Sequence, residues 1–360
     1  MKRLAIKWDQ VVVDPAGRVG GHDAGATLVR RLLRLGRRSG LAPVLVGPAT
    51  RRCDGFDQVP LEFVESDSTV VVNLDVLDST QVWRTLRENG QHPAVMNFQW
   101  GPTAQYADRV PQLTAALSFA LFPTFANSER TASEVREVVQ RWTAPGVAAK
   151  AQVAWVNLGF RVDHVQPRRE PEVPVVLYPA IYLSERKQPK VFLDVVERVR
   201  KQVPVRVEMR LHESHLVSEL AMKVSGKDWI WVGPLTATRG SYWEALASTT
   251  AFLATATEES YGLVYVEALA AGVVGILPDA GWARALVPDG YPFFWHSPEE
   301  AEALLLRAVR QPDACRAELD ALVDGRFTAW IAQEHDDHSF EEVLTRQLVE
   351  WFVDGREHHL

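Results

Sequence analysis

Two glutamates eight positions apart, Glu259 and Glu267, are the residues whose types and spacing point most directly to chemistry. They lie in the run Thr257-Glu258-Glu259-Ser260-Tyr261-Gly262-Leu263-Val264-Tyr265-Val266-Glu267-Ala268-Leu269-Ala270-Ala271-Gly272. Apolar residues at 263, 264, 266, 269 and 270 recur at helical spacing, so a helix begins at about Gly262. A helix start presents free N–H groups and partial positive charge, which suits a phosphate. A glycine there lets the phosphate approach the backbone closely. Carboxylates repel phosphate, so two of them bracketing such a site fit as acceptors for hydroxyl groups beside it. The plain structural reading is an acidic helix start with Glu267 on a solvated face.

The elements around this run must position it. Ala251-Phe252-Leu253-Ala254-Thr255-Ala256 precedes it and Val273-Val274-Gly275-Ile276-Leu277 follows it, and both read as buried strands. Strand, loop, helix, strand is the unit of a parallel α/β sheet. The spacing of Glu259 and Glu267, with Tyr-Gly-Leu-Val after the first and Ala-Leu-Ala-Ala-Gly after the second, resembles the donor-site motif of family 4 glycosyltransferases. These are retaining enzymes of the GT-B fold, with two Rossmann-like parallel-sheet domains facing a cleft. The resemblance implies that Glu259 contacts the transferred sugar and Glu267 the ribose hydroxyls. It assigns the diphosphate to the N–H groups of Gly262, Leu263 and Val264.

The same family clamps the diphosphate with an Arg and a Lys between an earlier strand, here Val175-Val176-Leu177-Tyr178, and a helix from about Lys190. Lys187 stands where the Lys belongs. The family's Arg position is not basic here, and Arg186 is the candidate replacement. Two cations offset the charge that builds on a leaving nucleotide. The expected catalytic set is therefore Glu259, Lys187 and Arg186. At the end of the strand Val205–Leu211, Arg210 and His212 stand where the family places glycine.

The first half alternates strand and helix as well. A strand over Leu4–Trp8 leads into a long loop ending in Val19-Gly20-Gly21-His22-Asp23, then a helix. Gly20 and Gly21 resemble the paired glycines that face the donor diphosphate in the family. Asp9 ends the first strand, on the edge where α/β sheets place ligands, and His22 adjoins the glycine loop; both are acceptor-pocket candidates. Arg30, Arg31, Arg34, Arg37 and Arg38 read as a solvated helix face. Further on, Ala94–Phe98 is a strand followed by Gln99-Trp100-Gly101-Pro102. Related enzymes often present a His near this strand end, and this chain has none there. Gln99 and Trp100 are expected to line the acceptor pocket instead. Thr131-Ala132-Ser133-Glu134 reads as a capping box opening a helix.

With 360 residues, 47% of them apolar, the chain is long enough for two domains. The expected division is 1–165, an acceptor domain; 166–174, a proline-rich linker; 175–335, a donor domain; and 336–360, a C-terminal helix crossing back to the first domain. That helix carries apolar residues at 340, 343, 344, 348, 351 and 352. Net charge is −7 but uneven: residues 1–160 hold 18 Lys and Arg against 15 Asp and Glu, and the remainder 21 against 31. The mild basic bias suits an anionic acceptor, yet falls far short of a dedicated nucleic-acid binder. Two distant cysteines, Cys53 and Cys315, fit a reducing cytoplasm. No apolar run approaches the length of about 18 needed for a membrane span, and Met1–Trp8 is too short and charged for a signal peptide. His212, Glu213 and His215 match no metal-site spacing. A cytoplasmic enzyme with no metal and no cofactor is expected, its donor substrate a nucleotide-diphosphate sugar, UDP-linked.

The function expected is transfer of a sugar to an acceptor hydroxyl with retention of configuration. A sugar-nucleotide epimerase of the same fold is one alternative. A non-catalytic sugar-nucleotide binding protein is another, motivated by the missing Arg and His. The acceptor stays open among small molecules, glycans, proteins and nucleic acids.

Overall fold

The computed structural model describes residues 1–21, 24–235 and 239–354. Contacts divide the chain into two units, Met1–Asn157 with Ser339–Leu360, and Leu158–His338. No helix among the described residues is long and apolar enough to cross a membrane.

The first unit is built on a sheet of β1 (Arg3–Lys7), β2 (Ala42–Val46), β3 (Arg51–Arg52), β4 (Asp57–Val59), β5 (Thr69–Asn73), β6 (Ala94–Gln99), β7 (Thr124–Ala126) and β8 (Val153–Trp155). Their spatial order is β3-β4-β2-β1-β5-β6-β7-β8. All pairs are parallel except β3 with β4. Continuous apolar runs such as Val70-Val71-Val72 are buried throughout, as strands covered on both faces require. The order reverses between β1 and β5, so the loops leaving those strands border the crevice where such sheets take ligands.

The C-terminal stretch belongs to this unit. Phe340 packs on Phe98 and Phe125, with ring centroids 6.2 and 6.5 Å away. Part of the arginine face of helix Ala24–Arg38 receives it, which corrects the solvated reading for Arg31 and Arg34 while Arg37 and Arg38 stay exposed. Arg31 is buried with its guanidinium 5.1 Å from the centre of the Phe340 ring. Arg34 and Arg38 both donate to the buried carboxylate of Glu341, at 3.0 and 2.7 Å. Arg30 turns the other way and donates to the carbonyl of Gly21 at 2.7 Å. Helix periodicity separates apolar from charged positions but does not say what covers the charged side.

The second unit carries β9 (Val175–Tyr178), β10 (Arg206–Leu211), β11 (Ile230–Pro234), β12 (Ala251–Leu253), β13 (Val274–Pro278) and β14 (Phe294–Trp295). They form a parallel sheet in the order β11-β10-β9-β12-β13-β14. Its order reverses between β9 and β12. Residues 166–174 lie inside this unit, where Arg168 donates to the Ala271 carbonyl at 3.3 Å.

One cap differs from its expected place. Helix Glu129–Trp142 starts before Thr131, and Ser128 caps it by accepting the Thr131 N–H at 3.2 Å. Glu134 instead accepts from the Thr103 N–H and hydroxyl.

Replacing Glu341 with Gln leaves two arginines without their shared acceptor charge. The first unit is expected to lose about 1–3 kcal/mol, read as a lowered urea midpoint by circular dichroism.

Candidate functional site

The reversal between β9 and β12 selects two loops of the second unit. The loop after β9 carries Arg186 and Lys187, and the loop after β12 carries Glu259. Backbone bonds hold them together: the Thr257 N–H donates to the Arg186 carbonyl at 2.9 Å, and the Thr255 hydroxyl to the Lys187 carbonyl at 2.7 Å. Gln188 then takes a left-handed conformation (φ 45°) and passes the chain into helix Pro189–Arg200. The result is an ion pair between the Lys187 ammonium and the Glu259 carboxylate, both largely buried. Two expected residues, 72 positions apart in the chain, thus meet side chain to side chain. Arg186 is exposed, and its carbonyl rather than its guanidinium makes the bonds to Thr257.

A third group completes the cluster. The Tyr265 hydroxyl donates to Glu259 Oε1 at 2.6 Å. Burial and then the Glu259 charge hold this phenol well above its ordinary pKa, so it stays a donor. Tyr178, at the end of β9, is raised for the same two reasons. Tyr265 was absorbed in the sequence by the apolar pattern of its helix. Its signal was a phenol one turn into a helix whose preceding loop carries an acidic residue.

The helix itself, Leu263–Ala270, begins where the glycine predicted it. Gly262 is its N-cap with φ 93° and ψ 41°, in the left-handed region. A Cβ at this position would stand 2.8 Å from the Tyr265 ring and 3.1 Å from Leu286. Leu263 and Val264 form the half-buried first turn, whose N–H groups point out of the helix start. Glu267 is only 3% exposed, which removes the reading of a solvated acidic face.

A buried histidine fixes the approach to Gly262. The His335 Nε2–H donates to the Leu286 carbonyl at 3.2 Å, which leaves Nδ1 as acceptor for the Tyr261 hydroxyl. The backbone of His335 in turn accepts from the Phe160 N–H at 2.8 Å. Gly159 permits this close approach: a Cβ there would lie 2.2 Å from the Asp336 backbone.

In the first unit the candidates gather at the β1–β5 reversal. The Lys7 ammonium is buried and meets Asp9, Asp75 and Asp78 at 2.8, 3.1 and 2.7 Å. Burial alone would lower its pKa, but the carboxylates of Asp78, Asp9 and Asp75 outweigh it and raise the value. Asp9 is thus the exposed arm of a charge cluster whose other members the sequence did not single out. Gly21 has φ 86°, and the Gly20 N–H is held by the Val12 carbonyl at 2.8 Å. Gln99 is buried, donating to the Gly101 carbonyl at 2.6 Å and accepting from the Tyr106 hydroxyl at 3.1 Å. Both ends of its amide therefore serve the strand exit. Trp100 is half-buried, edge-on to Trp8 at 5.9 Å. His22 lies outside the described residues.

No family model matches the chain, and no curated protein matches it in sequence. Solved structures do match it in fold. Sucrose-phosphate synthase from Thermosynechococcus elongatus is 11% identical at a TM-score of 0.72, over 98% of this chain and 100% of that one. A UDP-forming α,α-trehalose-phosphate synthase from Burkholderia vietnamiensis is 12% identical at 0.69, over 99% of each chain. HepE from Anabaena, in complex with UDP and glucose, is 15% identical at 0.68, over 97% of this chain and 100% of that one. The chain therefore has the two-domain parallel-sheet α/β fold of GT-B glycosyltransferases.

Two outcomes test the geometry around Gly262. Gly262→Ala forces a side chain into left-handed backbone and against Tyr265, and is expected to cost about 2 kcal/mol or more, measured by thermal or urea unfolding. Burial holds the His335 imidazole down at about 4, against the opposing bond to Leu286. Unfolded histidine titrates near 6.5, so between those values the unfolded chain binds a proton that the folded chain refuses. Stability should fall as pH drops through this window, by about 3 kcal/mol in total. Urea midpoints across it should show a shallower slope for His335→Gln than for the parent.

Proposed function

We propose that this protein is a glycosyltransferase whose second unit binds a nucleotide-diphosphate sugar. The observation that carries the reading is the Lys187–Glu259–Tyr265 cluster beside a helix start opened by left-handed Gly262. The supporting fold includes proteins whose structures are described with UDP, which favours a UDP-linked donor.

In this reading the diphosphate lies against the first turn of helix Leu263–Ala270, taking N–H groups from Gly262, Leu263 and Val264. Lys187 meets the charge that grows on the leaving nucleotide, with Arg186 in support from its exposed position. A diphosphate competes with Glu259 for the Lys187 ammonium, releasing the carboxylate to accept from hydroxyls of the transferred sugar. Tyr265 keeps Glu259 oriented through that exchange. Glu267 accepts from the ribose. The reaction so assembled is a metal-independent, retaining transfer of a hexosyl group. Within the first unit, Asp9, which projects from the Lys7 cluster, and Trp100, which borders the strand exit, are the acceptor-binding candidates.

Calorimetric titration with UDP, GDP, TDP and ADP tests the donor class. One nucleotide is expected to bind in the micromolar range. Glu267→Ala should weaken it by about 1–3 kcal/mol, roughly ten- to a hundredfold. Unchanged affinity in that variant removes the ribose assignment, and no binding by any of the four overturns the reading. Sugar transfer that disappears in Glu259→Ala separates an enzyme from a protein that only binds the nucleotide sugar.

A further inference from the structure

The second unit holds a cavity of about 330 Å³ at the opposite end of helix Leu263–Ala270 from Gly262. Its walls are of two kinds. Leu269, Val273, Leu319 and Phe327 supply apolar surface, while Arg168 and Arg316 supply guanidinium groups.

Both arginines have a structural task that accounts for part of each side chain. Arg168 Nη1 donates to the Ala271 carbonyl at 3.3 Å, and Arg316 Nε to the Gly272 carbonyl at 2.9 Å. Ala271 is the C-cap of the helix and Gly272 follows it, and cations at a helix C-terminus offset its negative end. Glu170 bridges the two, 3.0 Å from Arg168 and 2.8 Å from Arg316, and Asp313 adds a second contact to Arg316 at 2.7 Å.

What that task leaves over points to a ligand. The Nη2 atoms of both Arg168 and Arg316 are buried without a hydrogen-bond acceptor among the described residues. Each such orphaned donor carries a desolvation cost, and here two stand in one cavity wall. Each side chain as a whole is one-fifth exposed, and both line the cavity. Burial, and after it the nearby Arg316 cation, hold Arg168 below the ordinary guanidinium pKa despite Glu170. An added anion offsets the repulsion between the two cations. Arg326, exposed at the rim, adds a third cation. The Asp320 carboxylate also lines the cavity, with its Oδ1 engaged by the Phe327 N–H at 2.8 Å.

We propose that this cavity binds a small organic anion, a carboxylate or phosphate monoester on a compact apolar body. Its oxygens accept from the Nη2 groups of Arg168 and Arg316, and its body lies against Leu269, Val273 and Phe327. The site is separate from the one assigned to the donor, and it stands whether or not the chain transfers sugars.

Calorimetric titration of the full chain with inorganic phosphate, phenyl phosphate and benzoate tests it. At least one aromatic anion should bind ten times more tightly than inorganic phosphate, and which of the two it is distinguishes phosphate from carboxylate. Arg316→Lys keeps a cation but loses the second N–H group, and should weaken that binding tenfold or more. Thr328→Phe narrows the cavity while leaving both arginines in the chain, and should abolish it. The two variants act independently, so one that fails to fold leaves the other to decide. No binding by any probe, phosphate binding as tight as the aromatic anions, or binding that neither substitution reduces overturns the proposal.

Discussion

The left-handed turn at Gly262 is the constraint on which the rest of the second unit's site depends. The chain leaves β12 at the carboxyl edge of the sheet and turns into a helix after the loop 254–262. A side chain at 262 would meet the Tyr265 ring, so only glycine allows the turn with Tyr265 packed where it is. That packing matters because the Tyr265 hydroxyl is a donor to Glu259 beside the Lys187 ammonium. One backbone conformation therefore sets the helix start, the phenol and the carboxylate together.

Other contacts keep the turn from relaxing. Tyr261, one residue earlier, is tied to His335, which is itself tied to the Leu286 carbonyl and to Phe160. The chain enters the second unit near Phe160 and leaves it near His335, so its entry, its exit and the approach to Gly262 share one buried node. At the far end of the same helix, Arg168 and Arg316 hold the carbonyls of Ala271 and Gly272, just past its last residue. The helix bearing Glu267 is thus secured at both ends by residues remote in the chain.

The first unit uses charge in a different way. Lys7 is buried at the sheet reversal with three carboxylates around it. The C-terminal stretch joins this unit through Glu341, which takes two arginines from helix Ala24–Arg38. Both arrangements place ionic groups where the surrounding protein lowers solvent screening, and both give direction as well as attraction.

Much of this was legible in the chain. Buried parallel strands write themselves as continuous apolar runs, which is why Val70–Val72 and Ala251–Leu253 were found. Gly262 and the helix after it were local patterns, set by spacing and by what glycine alone can do. What the chain did not disclose were relations between distant residues. Lys187 was expected from its place before a helix, but its contact with Glu259 exists only because the sheet order reverses between β9 and β12. Tyr265 had an apolar position and a polar duty, and periodicity reports only the first. The arginines of helix Ala24–Arg38 read as solvated because a helix pattern describes one element at a time. Their partner, Glu341, lies some three hundred residues on, and tertiary packing decides what such a charge meets. Sequence determines the conformation that each stretch prefers; the fold decides which stretches share a cavity, a carboxylate or a proton.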